Sequence, residues 1–240
     1  MSDEPTIERT EYPPGIPCLI DTERPDPAAA AAFYGEVFGW TLEDQMPPGS
    51  DHHELVASLR GLDVADVASP PGITGPPTWD TYVSVAAAAA AVARAAELGA
   101  DVHLETADAA AAAAFYGAVF GWQADDLGDG NGFLWRLPGY GDFLAIADPD
   151  IHERNDQPWV PPGFADAIGW MTERPVPAPE WRVTIGVDDT DDVVKRAERL
   201  GATVLSPPTD SFGGVVRTAT IEDPQGAVLN IGSYDPSAAS

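Results

Sequence analysis

The residues with the clearest capacity for chemistry are a histidine and a glutamate two positions apart. His103 and Glu105 fall on a segment that reads as a strand, where side chains two apart share a face. An imidazole beside a carboxylate can bind a divalent metal ion, or act as a base with an orienting partner. Since the sequence offers no evident third ligand, the alternative is a solvated, hydrogen-bonded pair at a sheet edge.

Other chemical motifs fail on their spacing or their surroundings. Asp148, Asp150 and His152 mimic the start of a calcium loop, but its sixth position is a glutamate and its twelfth a tryptophan. Cys18 lies in the apolar stretch IPCLI, which favours an inert core cysteine over a nucleophile. The sequence has no dinucleotide fingerprint, P-loop, nucleophile elbow or CxxC pair.

Four aromatic residues on predicted strands remain as candidate ligand contacts. They are Trp79, Tyr82, Trp135 and Trp181. Flat rings suit planar or conjugated ligands, and offset stacking contributes roughly 0.5–1.5 kcal/mol per pair. The alternative is that each ring belongs to a hydrophobic core, and the sequence alone leaves both interpretations open.

An internal repeat organises the elements that must position these residues. Residues 28–40 read AAAAAFYGEVFGW, and residues 110–122 read AAAAAFYGAVFGW. Each copy predicts a helix, which in the first copy begins after Asp26-Pro27 and ends at Gly39. Aromatic and apolar residues four apart share one face of this helix, so the repeat is mainly a packing device.

Two further helices and several strands complete the predicted pattern. Helices are expected at 86–98 and 190–200, each after a strand that begins with a tryptophan. Asp223-Pro224-Gln225-Gly226 suits a type I turn between the last two strands. Short apolar runs bounded by glycine, proline or turn signals predict strands at 54–60, 62–67, 132–137, 142–147, 215–221 and 227–232.

Composition narrows the class of protein and its partners. The 240 residues include 12 basic and 39 acidic side chains, for a formal net charge of −27. Because such a field repels phosphate backbones, nucleic acid is not expected as a partner. The chain has no apolar run of about 20 residues and starts with an acidic segment unlike a secretory signal. We therefore expect a cytoplasmic monomer or homodimer with no membrane partner and a small-molecule ligand. The acidity fits either a solvated surface or a salty cytoplasm.

Taken together, these motifs resemble those of the vicinal oxygen chelate superfamily, and most of all its tandem glyoxalase-like proteins. FYGxVFGW after an alanine-rich helix, a strand that begins with tryptophan, a helix that ends in LGA, and DPQGA before a last strand carry the resemblance. The superfamily includes glyoxalase I, bleomycin-resistance proteins and extradiol dioxygenases. The resemblance implies an α+β fold of tandem βαβββ modules, whose mixed sheets curve into cups around a ligand.

The spacing of the repeats predicts two unequal domains. From Phe33 to Phe115 is 82 residues, whereas 125 residues follow Phe115. We therefore predict residues 12–100 as an N-terminal glyoxalase-like domain with an incomplete second module, and residues 101–240 as a C-terminal one. An intact ligand site is expected in the C-terminal half.

The resemblance also implies where a metal ion would bind. Metal-dependent members have His, Glu or Gln on the first and last strands of paired modules, where the ion acts as a Lewis acid. Here those positions hold Leu19, Trp79, Trp181 and Asn230, among which only an amide can ligate, and weakly. The sequence therefore predicts no metal and no cofactor, with Asn230 as a ligand contact.

The predicted function is that of a metal-independent, small-molecule-binding glyoxalase-like protein, in an accessory or tailoring role on a hydrophobic metabolite. One alternative is a metal-dependent lyase, isomerase or dioxygenase that uses a divalent metal at His103 and Glu105. The other is a resistance protein that sequesters an antibiotic without turnover.

Overall fold

The computed structural model describes residues 12–73, 75–87, 109–128, 132–157, 160–171 and 181–239. The chain divides into two compact units. Residues 19–82 and 181–240 form one, called here the paired unit; residues 1–18 and 83–180 form the other, the central unit. Each unit thus combines segments from both sides of the boundary predicted at residue 100. That boundary lies outside the described residues, as does most of the predicted helix at 86–98, so the two-domain division stays a prediction.

A βαβββ module occupies the N-terminal part of the chain. Its elements are β1 (Pro17–Glu23), α1 (Pro27–Phe38), β2 (Thr41–Asp44), β3 (His53–Leu59) and β4 (Leu62–Ser69). The strands lie in the order β2-β3-β4-β1, with antiparallel pairs except for β4, which is parallel to β1. A fifth strand, β5 (Trp79–Val83), adds to the free side of β1. The helix and strands predicted here are confirmed.

The central unit contains the second copy of the repeat. Its elements are α2 (Ala109–Phe120), β6 (Gln123–Asp126), β7 (Phe133–Arg136), α3 (Tyr140–Ala145), α4 (Ile151–Asn155) and β8 (Ala167–Met171). The three strands form an antiparallel sheet in the order β6-β7-β8. The strand predicted at 142–147 is wrong, because these residues belong largely to α3. Asp166 Oδ1 accepts a hydrogen bond of 2.8 Å from the Gly141 amide in the first turn of α3. A partner 25 residues away stabilises this helix start, and no local pattern shows it.

The last module repeats the chain path of the first. Its elements are β9 (Thr184–Gly186), α5 (Thr190–Arg199), β10 (Thr203–Ser211), β11 (Val216–Glu222) and β12 (Val228–Tyr234). The strand order is β10-β11-β12-β9, with β12 parallel to β9. The expected βαβββ topology is therefore confirmed, although the strand predicted to begin at Trp181 begins at Thr184.

Close approach of the backbone explains the glycine of the repeated motif. A Cβ on Gly35 would lie 3.2 Å from the Trp40 carbonyl oxygen, and one on Gly117 would lie 3.1 Å from that of Trp122. The chain reverses at Gly39, whose φ of 74° is left-handed and whose amide donates to the Gly35 carbonyl at 2.9 Å. FYGxVFGW thus encodes a helix, its stop, and the return of a tryptophan onto the last turn.

A buried polar network joins the two modules of the paired unit. The Tyr34 hydroxyl of α1 donates to Asp223 Oδ2 at 2.6 Å, and the Arg24 guanidinium donates to the same hydroxyl at 3.2 Å. Asp223 Oδ1 accepts from the backbone amides of Gln225 and Ala227, which closes the predicted turn. Arg24 and Tyr34 are fully buried, and burial raises the pKa of Tyr34 far above its ordinary value. The first FYG motif and the DPQG turn are therefore joined by a buried hydrogen bond.

We predict that Tyr34→Phe destabilises the paired unit by roughly 1–3 kcal/mol, because Arg24 and Asp223 each lose a buried hydrogen-bond partner. Urea denaturation followed by tryptophan fluorescence measures the change. Tyr234→Phe is the control, since Tyr234 is 56% exposed, and its effect should stay below about 0.5 kcal/mol. Equal changes in the two variants would show that the network contributes nothing.

Candidate functional site

The face of the five-stranded sheet that points away from α1 is lined with carboxylates. Thr22, Val67 and Trp79 point into the core, and because side chains alternate along a strand, their neighbours point the other way. Asp21 and Asp66 are paired in register on β1 and β4. We call this surface the acidic face; its carboxylates are Asp21, Glu23, Glu54, Asp66 and Asp80.

Tyr82 and Asp21 form the best-defined polar contact on the acidic face. The Tyr82 hydroxyl donates to Asp21 Oδ2 at 2.9 Å. The other oxygen, Oδ1, is buried and has no hydrogen-bond partner among the residues that the structure describes. A buried acceptor of this kind costs free energy unless a donor reaches it.

Burial and neighbouring negative charges together raise the pKa values of groups on this face. The pKa of Asp21 is raised, first by burial and then by the negative charges of Asp80, Asp66 and Glu23, against the opposing hydrogen bond from Tyr82. Burial also raises the pKa of Asp66, and burial with the Asp21 contact raises the pKa of Tyr82 to about 12. Carboxyl groups with raised pKa values can take up a proton, or accept a hydrogen bond from a cationic ligand.

A cavity of about 330 Å³ lies at one end of the acidic face. Glu23 and Asp80 supply its carboxylates, and Thr78 also lines it. The proline-rich connector supplies the remaining wall, through Pro70, Pro71, Gly72, Ile73, Gly75 and Pro76. The volume falls in the range of about 300–1,000 Å³ typical of ligand pockets. Residues 23–80 form this cavity, whereas an intact site was expected in the C-terminal half.

The predicted aromatic contacts fall into two groups. Trp79 and Trp135 are 5% and 1% exposed and pack in the cores of the paired and central units, against the rings of Tyr34 and Tyr116. Tyr82 and Trp181 are 48% and 40% exposed, and of the four only Tyr82 lies on the acidic face. A ligand contact stays a prediction at all four positions.

Asn230 lies on the corresponding face of the four-stranded sheet. Thr220 Oγ1 donates to its Oδ1 at 2.8 Å, so one lone pair of the amide oxygen is already engaged. Thr184 and Ser206 continue the same row across the sheet, since they are in register with Asn230 and Thr220. This row offers neutral hydrogen-bonding groups, and it suits an organic ligand better than a cation.

The donors at the implied metal positions do not fit a divalent ion. Leu19 offers hydrocarbon, the oxygen of Asn230 already has a donor, and Trp79 is packed in the core. In the described ranges, no three His, Cys, Asp or Glu side chains are grouped as metal ligands. His103 and Glu105 lie outside those ranges, so the alternative built on them stays a prediction.

The acidic face was missed in the sequence, although it leaves a signal there. Asp21 and Glu23, like Asp80 and Tyr82, are two positions apart on a strand and therefore share a face. What the sequence did not show is that β1, β4 and β5 are adjacent.

No helix of the described residues is long and apolar enough to cross a membrane.

Comparison with known proteins places these features in a family context. The model of the "Glyoxalase-like domain" family matches residues 18–106 and again residues 101–231. "Putative glyoxylase CFP32" of Mycobacterium bovis is 29% identical over 253 residues, which cover 93% of this chain and 97% of that protein. "Anthracycline biosynthesis protein DauV" of a Streptomyces species is 28% identical, with 92% and 94% of the two chains covered.

A solved structure supports the same fold. A mutant of 4-hydroxymandelate synthase from Streptomyces coelicolor aligns with a TM-score of 0.51 over 93% of both chains. At 12% identity, the similarity extends to the fold alone.

We predict that Asp21→Asn stabilises the paired unit at neutral pH and raises its melting temperature by about 1–3 °C. The folded-state pKa of Asp21 is raised, so its charge opposes folding above that pKa and is lost as the pH falls through it. The difference between variant and wild type should therefore shrink in acid. Differential scanning calorimetry between pH 3 and pH 8 measures it.

Glu36→Gln is the matched control. Glu36 is exposed on α1, and its replacement by glutamine also removes one negative charge from the paired unit. An equal gain in both variants would attribute the effect to net charge rather than to the acidic face.

Proposed function

The chain belongs to the glyoxalase-like domain family, and from this membership we propose that it is a metal-independent protein that binds a small organic molecule. The cavity lined by Glu23, Asp80 and the proline-rich connector carries the proposal, because its volume lies in the range of ligand pockets and its lining combines carboxylates with proline side chains. Glu23 and Asp80 also belong to the acidic face, so a ligand larger than the cavity would extend along that face.

Metal independence is supported by the groups at the family's ligand positions. An amide whose oxygen already accepts from Thr220 is poorly suited to replace a carboxylate, and Leu19 offers no donor. A ligand at these strands is held instead by hydrogen bonds, ring contacts and the carboxylates of the acidic face.

An accessory or tailoring role in the metabolism of a hydrophobic compound is supported by the names of two relatives. The Streptomyces proteins DauV and DnrV, 28% and 27% identical, are both named for anthracycline biosynthesis. Their similarity covers 92% of this chain, so both glyoxalase-like copies are included. We propose a cytoplasmic protein whose ligand is an aromatic or otherwise apolar metabolite.

Equilibrium dialysis against a commercially available anthracycline tests this function. We expect saturable binding of one molecule per chain that EDTA leaves unchanged, with elemental analysis finding well under one divalent ion per chain. One firmly held divalent ion, whose removal abolishes binding, would contradict the proposal.

Gly75→Leu locates the site. A Cβ on Gly75 meets no atom within 4 Å, so the leucine extends into the cavity without a clash and should weaken binding about tenfold or more. Gly186→Leu on β9 is the control, since its Cβ is equally unobstructed and it does not line the cavity. Unchanged binding by Gly75→Leu would place the ligand elsewhere.

A further inference from the structure

We propose that His53 is a nucleophile for acyl transfer, whose imidazole Nε2 accepts the acyl group of an activated ester while Asp44 holds the ring by its other nitrogen. The two residues lie at the end of β2 and the start of β3, and neither lines the cavity. The activity goes beyond the proposed small-molecule binding, so that either can fail without the other.

The contact between His53 and Asp44 determines which ring nitrogen is free. His53 Nδ1 lies 2.6 Å from Asp44 Oδ2. An ionised carboxylate only accepts hydrogen bonds, so Nδ1 carries the proton and Nε2 of the neutral ring keeps its lone pair. The His53 side chain is 47% exposed, so a small acyl donor can reach the ring.

Backbone amides hold Asp44 in place for this contact. Its Oδ1 accepts from the amide of Met46 at 3.0 Å and from that of Glu54 at 3.4 Å. The hydrogen bond from His53, followed by that from Met46, lowers the pKa of Asp44, which keeps the carboxylate ionised at neutral pH. A fixed negative charge beside Nδ1 stabilises the positive charge that the ring acquires when Nε2 bonds to a carbonyl carbon.

The reaction with an aryl ester balances with water as the second reactant. Nε2 adds to the carbonyl carbon, and the bond to the phenoxide oxygen breaks with its electron pair, which leaves an acyl-imidazolium. Water then adds to the acyl carbon, and the acyl–nitrogen bond breaks with its electron pair returning to Nε2. One proton of the water passes to the phenoxide and the other to solvent, so the products are a phenol and a carboxylate.

A second histidine–aspartate pair is a matched control within the chain. His152 is 51% exposed, close to the value for His53, but it contacts Asp142 through Nε2, at 3.1 Å. Its free lone pair is therefore on Nδ1, next to the side chain's own Cβ. A Cβ on Gly141 would lie 3.0 Å from the ring carbon between the two nitrogens, so this edge of the ring faces the backbone of α3. The two histidines match in exposure and differ in which nitrogen is free.

Hydrolysis of p-nitrophenyl acetate by the full chain at pH 8, followed by the absorbance of the released p-nitrophenolate, tests the proposal. We expect a protein-dependent rate that His53→Ala lowers about tenfold or more, because the acyl acceptor is lost. Asp44→Asn should lower it about threefold or more, since an amide supplies no charge and no longer fixes the proton on Nδ1. His152→Ala should change the rate less than about twofold.

The ¹⁵N spectrum of the imidazole rings separates the positioning role of Asp44 from a structural one. Nδ1 of His53 should be the protonated nitrogen in the wild type. Asp44→Asn should lose this preference while the backbone amide shifts outside β2 and β3 stay unchanged. Protonation of Nε2 in the wild type would overturn the proposal. So would equal losses of rate in His53→Ala and His152→Ala, or a rate that His53→Ala leaves unchanged. Binding of the anthracycline by His53→Ala, measured in parallel, reports on the proposed function alone.

Discussion

The hydrogen bond between Tyr34 and Asp223 joins residues that are 189 positions apart, and the architecture of the paired unit depends on it. Arg24 completes the contact from the end of β1, so the first helix, the last turn and the end of β1 meet at one buried point. Any other arrangement would leave these buried polar groups without their partners, at a cost in free energy. The network therefore favours one pairing of modules, the first with the last, although Arg24 Nε itself has no hydrogen-bond partner among the described residues.

The same network leaves the acidic face negatively charged. Glu23 and Arg24 are neighbours of opposite charge, and strand geometry sends them to opposite sides of the sheet. Arg24 lies beside Asp223 in the core, and among the described residues no lysine, arginine or histidine lines the cavity next to Glu23 and Asp80. A structural interaction on one side of the sheet thus sets the electrostatics of the candidate site on the other.

The local elements of this fold could be predicted from the sequence, because caps, glycines and aromatic spacing encode them directly. The helix of α1 and the turn at Asp223 follow from such short-range signals. Helix α3 was predicted as a strand, since the capping carboxylate of Asp166 comes from 25 residues away. The site was harder still: Trp79 and Asp80 are adjacent, yet one packs in the core and the other lines the cavity. Only the adjacency of β1, β4 and β5 shows which face of the sheet carries the carboxylates of the candidate site. That adjacency depends on contacts between residues far apart in the sequence.

Chemical-shift mapping tests the central claim most directly. A commercially available anthracycline would be titrated into ¹⁵N-labelled, EDTA-treated protein while the backbone amides are followed. The account predicts that the largest shifts fall on Glu23, Gly75, Thr78 and Asp80, with no requirement for added metal. Largest shifts around Asn230 and Thr220 on the four-stranded sheet, or shifts that appear only after a divalent ion is added, would contradict it.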